Sequence, residues 1–165
     1  MTEKNMSEQK GRAAATGNLN VEDARIGIVA SRFNSFVVDR LVAGAEQTLA
    51  EHGIGNDRIT ILRVPGAFEL PLAASELATT GCCDAVIALG VVIRGETAHF
   101  DYVCSQASAG LMRVSLDHGL PLGFGLLTVD TEAQALARAG DEDNKGCEAV
   151  QAALEMLALK RDVRR

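Results

Sequence analysis

Residues 84–103, DAVIALGVVIRGETAHFDYV, decide the fold of this 165-residue chain. Residues 85–93 are an almost unbroken apolar run rich in Val and Ile, which predicts a strand buried on both faces. A polar turn follows at residues 94–97, and a helical pattern begins near Ala98. Free backbone N–H groups point outward where a glycine turn leads into a helix N-terminus, so this junction is a candidate anion site.

His99 differs from the other two histidines in its position on its helix. His52 and His118 each precede a glycine at a predicted helix C-terminus, where positive charge is favourable, so a capping role explains both. His99 falls in the first turn of a helix, where the dipole disfavours imidazolium and favours a neutral, basic ring. Two interpretations stay open, an ordinary surface histidine and a proton-transfer group beside the anion site.

Working outward from this stretch, strand and helix patterns alternate four times. Strands are predicted over residues 25–30, 58–64, 85–93 and 121–128, and each connection is long enough for a parallel crossover. The pattern predicts an α/β fold, a three-layer α/β/α sandwich around a four-stranded parallel sheet of flavodoxin-like order 2-1-3-4. Residues 1–21 are predicted to be a flexible N-terminal arm, and residues 22–165 a single domain.

Composition excludes several classes of protein. The net charge of −6 argues against a nucleic-acid binder, and no segment is long and apolar enough to span a bilayer. The polar first twenty residues lack the apolar centre of a secretory signal, which favours a cytoplasmic location. The four cysteines form no C-x-x-C pair and the histidines add no ligand spacing, so reduced thiols and no metal site are predicted.

In parallel sheets of this kind, ligands bind outside the carboxyl ends of the strands. Phe33 and Phe68 both fall in turns at that edge, which suggests a stacking site for a flat ring, although packing onto neighbouring helices is the ordinary alternative. Four other candidates also have ordinary explanations at helix ends or in solvent. They are Glu69 as a first-turn carboxylate, Thr97 as an N-cap, Arg138 as a C-terminal cation and Lys145 as a solvated side chain.

Phe124 and Arg138 are predicted to lie far from the edge that carries His99. Phe124 is early in the fourth strand, and Asp130 is six residues later, roughly 20 Å away along an extended chain. The following helix runs back toward the amino edge and carries Arg138 roughly 10 Å in that direction. If both groups serve one ligand, neighbouring subunits share the site in a head-to-tail contact, and such contacts close into rings.

Four motifs, in order, resemble the 6,7-dimethyl-8-ribityllumazine synthase family over about residues 25–159. They are SRFN at residues 31–34, VPGAFE at 64–69, GVVIRGETAHFD at 90–101, and RAG at 138–140 with NKG at 144–146. The resemblance implies condensation of 5-amino-6-(D-ribitylamino)uracil with 3,4-dihydroxy-2-butanone 4-phosphate, the penultimate step of riboflavin synthesis. It also implies that the reaction uses no metal and no organic cofactor.

The resemblance also assigns roles to residues. His99 is the implied proton-transfer residue, and Lys145 matches a family lysine near the site. The implied aminouracil-binding residues are Phe33, Ala67, Phe68, Glu69, Val91, Val92, Ile93 and, from the adjacent subunit, Phe124. The implied phosphate-binding residues are Glu96 and Thr97, with Arg138 again from the adjacent subunit.

The implied assembly is a homopentamer, and many family members stack twelve pentamers into a hollow icosahedral shell that makes riboflavin synthase a candidate partner. Residues 140–146, GDEDNKG, are shorter and more acidic than the common family version, so the choice between pentamer, decamer and shell stays open. In the family, the segment before the first strand pairs with a neighbour's sheet, and residues 19–21 could do so here.

Two proteins of the same fold class fit the turns poorly. A phosphorelay receiver needs acidic residues after the first strand and an Asp after the third, where this chain has SRFN and RGE. A flavodoxin-like electron carrier needs a Ser/Thr-rich phosphate loop after the first strand, which is also missing. The remaining alternative is a non-catalytic flavin- or lumazine-binding shell protein, against which the presence of His99 and Arg138 argues.

Overall fold

The computed structural model describes residues 19–165, and the predicted alternation is confirmed over that range. Four strands form the sheet: β1 Ile26–Ser31, β2 Ile59–Val64, β3 Ala85–Ile93 and β4 Leu122–Val129. Five helices connect and follow them: α1 Ser35–Glu51, α2 Leu70–Thr80, α3 His99–His118, α4 Glu132–Ala137 and α5 Lys145–Val163. All pairs are parallel in the order β2-β1-β3-β4, so the predicted order 2-1-3-4 is correct.

Helices cover both faces of the sheet, as a three-layer sandwich requires. One apolar cluster joins α1 and α5 to side chains such as Ile28 and Ile87, and the other joins α2 and α3 to Val29 and Val86. Successive residues of a strand point to opposite faces, so β1 and β3 need apolar residues at almost every position. This need explains the unbroken apolar run of β3, from which burial on both faces was predicted.

Residues 19–21, predicted to belong to the arm, pack against the domain core. Val21 is buried in the cluster under α1 and α5, and Leu19 lies against that cluster. Arg161 of α5 holds the same segment by donating to the Asn20 carbonyl at 3.1 Å and to Asp23 at 2.9 Å. The rest of the predicted arm, residues 1–18, lies outside the described residues, so its flexibility stays a prediction.

Two glycines let α5 approach the rest of the domain closely. A Cβ on Gly146 would collide with the backbone carbonyl of Leu41 in α1, and one on Gly123 would collide with the carbonyl of Ala149. Backbone atoms of packed helices cannot yield to such a contact as flexible side chains can. These glycines therefore set the distance at which α5 packs, and with it the position of the α4–α5 connection.

Replacing Gly146 with alanine is expected to destabilise the fold by about 2 kcal/mol, because the added methyl group overpacks the α1–α5 contact. This loss corresponds to a fall in melting temperature of roughly 5 °C in a thermal unfolding experiment. The matched control is Gly140→Ala in the neighbouring α4–α5 connection, where the nearest atoms to an added Cβ are 3.8 Å away. Equal melting temperatures for the two variants would contradict the close-packing interpretation.

Candidate functional site

A cleft of about 560 Å³ lies at the carboxyl edge of the sheet, where β1, β2 and β3 end and α3 begins. Its position is the one predicted for ligands of a doubly wound sheet. The cleft brings together most of the predicted aminouracil-binding residues, one predicted phosphate-binding residue and the predicted catalytic histidine. Those that line it are Phe33, Ala67, Phe68, Glu69, Val91, Val92, Ile93, Thr97 and His99.

Two exposed phenyl rings stand on the cleft wall. The exposed fraction is 69% for Phe33 and 61% for Phe68, whereas an aromatic ring of this size is ordinarily well covered. Phe33 is held by a hydrogen bond from its backbone N–H to the Pro65 carbonyl at 3.1 Å, which extends the β1–β2 pairing past the strand end. The two exposed rings, which line the cleft together with Val91, offer apolar surface to a flat heterocycle.

Asn34 supports this turn through its backbone conformation. It precedes α1 with φ of 58° and ψ of 46°, and neither its side chain nor that of Ser35 makes a capping hydrogen bond. Asn tolerates this left-handed conformation better than most residues do. The tight turn lets the chain enter α1 directly after Phe33, at the cleft wall.

Glu69 holds the turn that carries Ala67 and Phe68. Its Oε2 accepts a hydrogen bond from the backbone N–H of Gly66 at 3.1 Å, within the short 3-10 turn Ala67–Glu69 that leads into α2. This contact matches the predicted first-turn carboxylate. It also shows how Glu69 can face the cleft while fixing Phe68 in place.

The N-terminus of α3 closes one end of the cleft. Ala98, not Thr97, precedes the first helical residue, but the Thr97 hydroxyl still accepts the His99 backbone N–H at 3.3 Å. Within residues 19–165, the backbone N–H groups of Glu96, Thr97 and Phe100 donate to no protein acceptor. These free donors and the positive end of the α3 dipole favour an anion beside His99.

Arg94 braces the turn that leads to these donors. Its Nε donates to Asp130 at 2.8 Å, its Nη1 lies 3.5 Å from Asp101, and its guanidinium stacks 4.2 Å from the centre of the Phe100 ring. The hydrogen bond to Asp130 raises the pKa of Arg94 above its already high ordinary value, so the side chain is always a cation. Arg94 thus ties the β3–α3 turn to the β4–α4 turn, a role that the sequence did not reveal.

A second groove, of about 480 Å³, carries the remaining predicted residues on another surface. It runs along β4 and the start of α5, and Phe124, Arg138 and Lys145 line it together with Glu148. Phe124 pairs with Ala88 in the middle of β3, whereas the cleft is lined by the end of that strand. No residue lines both sites, so within one subunit Arg138 and His99 lie on distinct surfaces.

The two cations of the groove differ in how far they are already neutralised. Lys145 Nζ lies 2.8 Å from Glu148 and 3.3 Å from Asp143, and these hydrogen bonds raise the pKa of Lys145. The side chain of Arg138 donates only to the Gln134 carbonyl, at 3.0 Å, and no carboxylate of the described residues pairs with it. Arg138 is therefore the cation of this groove best placed to bind an external anion.

The structure adds residues to the cleft and leaves one predicted residue outside its wall. Glu96 is exposed and does not line the cleft. The additional lining residues are Gly66, Gly95, Phe100, Tyr102, Val103 and Gln106. Three of these were predictable, because Tyr102, Val103 and Gln106 follow His99 at helical spacings of three, four and seven and so share its face.

The described residues contain neither a metal-binding cluster nor a membrane-spanning helix. No group of three or more His, Cys, Asp or Glu residues in that part of the chain could hold a metal ion. Among the helices of residues 19–165, none has the length and apolar character needed to cross a bilayer.

The fold and the cleft define a doubly wound α/β protein with a candidate ligand site at the carboxyl edge of its sheet. The sequence model for 6,7-dimethyl-8-ribityllumazine synthase matches residues 23–161. Two similar relatives carry that name: one from Desulfovibrio desulfuricans, 50% identical, and one from Nitratidesulfovibrio vulgaris strain DP4, 53% identical. Each match covers 87% of this chain and 92% of the relative. The chain belongs to the 6,7-dimethyl-8-ribityllumazine synthase family, whose members are transferases of riboflavin biosynthesis.

Proposed function

We propose that this protein condenses 5-amino-6-(D-ribitylamino)uracil with 3,4-dihydroxy-2-butanone 4-phosphate, giving the lumazine, inorganic phosphate and water. The observation that carries the proposal is the cleft itself, in which exposed aromatic rings, a helix N-terminus with free donors and His99 converge. One substrate of this reaction is a flat heterocycle and the other carries a phosphate. The cleft offers complementary chemistry to each of them.

The aminouracil ring stacks on Phe33, and the edges of the ring contact the β3 end at Val91, Val92 and Ile93. The ribityl chain lies along the turn of Ala67, Phe68 and Glu69, and the neighbour's Phe124 covers the ring from the other side. The exposure of Phe33 and Phe68 supports this arrangement, because a bound ring would cover apolar surface that is now open to water.

The phosphate of the second substrate binds at the turn of residues 95–97, where free backbone N–H groups face the start of α3. Arg138 of the adjacent subunit completes the site, since a planar guanidinium can donate two parallel hydrogen bonds to a phosphate. Lys145 contributes less, because Glu148 and Asp143 already neutralise it. Glu96 contributes through its backbone, since its side chain lies outside the cleft wall.

His99 moves protons during imine formation, phosphate loss and ring closure. Each of these steps needs a proton removed or delivered near neutral pH, a task that suits an imidazole beside the leaving phosphate. The attacking amine belongs to the substrate, so the enzyme needs no Ser or Cys nucleophile. Holding two substrates in contact supplies much of the remaining rate acceleration.

Replacing His99 with alanine is expected to lower kcat roughly tenfold. This loss is smaller than the usual contribution of an acid–base residue, which is roughly 10²–10⁴-fold. The loss is modest because substrate positioning and the substrate's own amine remain. Single-turnover rates of lumazine formation at saturating substrates measure the effect. A rate equal to that of the unchanged enzyme would remove the proton-transfer role from His99.

Replacing Arg94 with glutamine is expected to raise the KM for the butanone phosphate about fivefold with a smaller effect on kcat. The turn of residues 95–97 then loses its tie to Asp130 and Asp101, and its donors are held less firmly for the phosphate. The matched control is Arg113→Gln, which breaks only an exposed pair with Asp117 on α3. If both variants raise KM equally, a general loss of positive charge explains the effect instead.

The separation of cleft and groove supports a homo-oligomer, because neither surface alone offers both the ring site and the arginine. Joining the carboxyl edge of one subunit to the β4 groove of the next is a head-to-tail contact, which closes into a ring, here a pentamer. The wider proposal is that pentamers stack into a shell and that riboflavin synthase is a partner within this shell. The cytoplasmic location stays a prediction of the polar N-terminal sequence.

The direct test mixes the two purified substrates with the protein and follows the fluorescence of the lumazine product. Catalysed formation well above the uncatalysed rate is expected. A protein that binds the lumazine but does not accelerate its formation would instead be the non-catalytic binder considered from the sequence. Removing metals with a chelator beforehand should leave the rate unchanged.

A further inference from the structure

A pair of adjacent thiols lies at the sheet edge opposite to the cleft. Cys82 and Cys83 occupy the connection between α2 and β3, and their sulfur atoms are 3.6 Å apart. Neither residue lines the cleft or the β4 groove, so the proposed reaction makes no use of them. The pair is the one place in the described residues where two thiols meet.

Contacts on both sides fix the position of the two sulfurs. Cys83 is buried against Leu77 and Val86, and its sulfur fills the space that a side chain at Gly27 would need. Cys82 is half-buried, and the Thr80 hydroxyl both accepts its backbone N–H at 3.3 Å and lies 2.9 Å from its sulfur.

Arg25 fastens the connection on either side of the cysteines. It donates from its backbone N–H to Asp84 at 2.7 Å and from its side chain to the Gly81 carbonyl at 3.2 Å. The two thiols are thus held together on a braced loop rather than on a free one.

The two thiols differ in reactivity. The hydrogen bond from Thr80 lowers the pKa of Cys82, and burial raises the pKa of Cys83 to about 12. A thiolate is the attacking form, so Cys82, which is also the more exposed of the two, reacts first. Cys83 remains a thiol, and a group that is already bound to Cys82 lies within reach of it.

The geometry disfavours a disulfide and suits a bridging atom. Adjacent Cα atoms of a trans peptide are about 3.8 Å apart, below the usual 4.4–6.8 Å of a disulfide, so direct closure would strain the backbone. Two sulfurs bonded at about 2.3 Å to one soft, pyramidal atom, with an angle of about 100° between the bonds, stand roughly 3.5 Å apart. The observed sulfur separation is close to that second value.

The number of protein ligands at the site limits which atom can bridge the two sulfurs. A structural zinc site needs four protein ligands, and no third His, Cys, Asp or Glu of the described residues joins this pair. The bridging atom must therefore bring its own third substituent. A trivalent organoarsenic compound does so, because its arsenic bonds to one carbon and two sulfurs.

We propose that Cys82 and Cys83 form a chelating dithiol site for trivalent arsenicals, independent of the proposed reaction. With phenylarsine oxide as the probe, two arsenic–sulfur bonds form and the arsenic–oxygen bond breaks. The oxygen leaves as water with both thiol hydrogens, and no atom changes its oxidation state. The second bond closes within the site, which makes the dithiol bind far more tightly than either thiol alone.

The test treats the full-length, reduced protein with a small excess of phenylarsine oxide and measures the intact mass of the chain. One phenylarsenic group in place of two hydrogens is expected per chain, with two of the four thiols lost to a thiol reagent. Cys82→Ser and Cys83→Ala should each bind the probe roughly 100-fold more weakly. The matched control, Cys104→Ser with Cys147→Ser, should bind it as the unchanged protein does.

Lumazine formation by the cysteine variants shows that each is folded, because both residues are remote from the cleft. Three outcomes would overturn the proposal: no adduct on the unchanged protein, an adduct that survives at full affinity in either single variant, or one that is lost in the control pair. Each of them leaves the proposed reaction untouched, since that reaction is scored by product formation and not by thiol chemistry.

Discussion

Replacing Arg138 with alanine is expected to raise the KM for 3,4-dihydroxy-2-butanone 4-phosphate by roughly 100-fold, whereas the affinity for the aminouracil changes little. Truncating one partner of a hydrogen-bonded charge pair costs about 2–5 kcal/mol of binding free energy, and each 1.4 kcal/mol, roughly, corresponds to a factor of ten in affinity. Arg138 can contribute on this scale because no carboxylate of the described residues pairs with its guanidinium, whose one hydrogen bond in that part of the chain goes to the Gln134 carbonyl. Steady-state kinetics with each substrate varied in turn would measure the effect.

Two further variants separate the geometry of Arg138 from its charge. Arg138→Lys keeps the charge but loses the planar fork, so it should recover only part of the affinity. Lys145→Ala removes a cation from the same groove that Glu148 and Asp143 already neutralise, and it should raise KM severalfold at most. A loss in Lys145→Ala as large as that in Arg138→Ala would show that the groove acts through its summed charge.

The fold followed from local features of the sequence. The apolar run of β3 has the length and composition of a strand covered on both sides, and its observed bounds, Ala85–Ile93, are those predicted. Helix ends were also predictable, since Gly53, Gly81 and Gly119 adopt positive φ after α1, α2 and α3. Such signals depend on neighbouring residues alone, and a single sequence contains them in full.

The site was only partly predictable, because it depends on where distant segments meet. Helical spacing from His99 could have identified Tyr102 and Gln106, but nothing local shows that Arg94 reaches across to Asp130, 36 residues later. The role of Asn34 also depends on contacts with a distant segment. Asn caps helices and also tolerates positive φ, and the hydrogen bonds that Arg32 and Phe33 make to the end of β2 favour the second use here.

Mixing two impaired variants is expected to restore activity, if each site takes its groups from two subunits. His99→Ala chains keep Arg138, and Arg138→Ala chains keep His99 on a surface that faces the next subunit. When the two are unfolded together, mixed in equal amounts and refolded, about a quarter of the contacts in a head-to-tail ring unite an intact cleft with an intact arginine. With the butanone phosphate near the KM of the unchanged enzyme, the mixture should make lumazine at about a quarter of the unchanged rate, against roughly a tenth for His99→Ala alone and roughly a fiftieth for Arg138→Ala alone.

The same experiment carries its own control, because each variant is also refolded by itself and the His99→Ala, Arg138→Ala double variant is mixed with unchanged protein. If both groups served a site within one subunit, no arrangement of the two single variants would contain a complete site, and mixing would add nothing. The structure favours the shared site, since the cleft with His99 and the groove with Arg138 have no lining residue in common. If the rate of the mixture were only the average of the two variants, Arg138 would have to reach the cleft of its own subunit. The packing of α5 through Gly146 and Gly123 opposes such a movement.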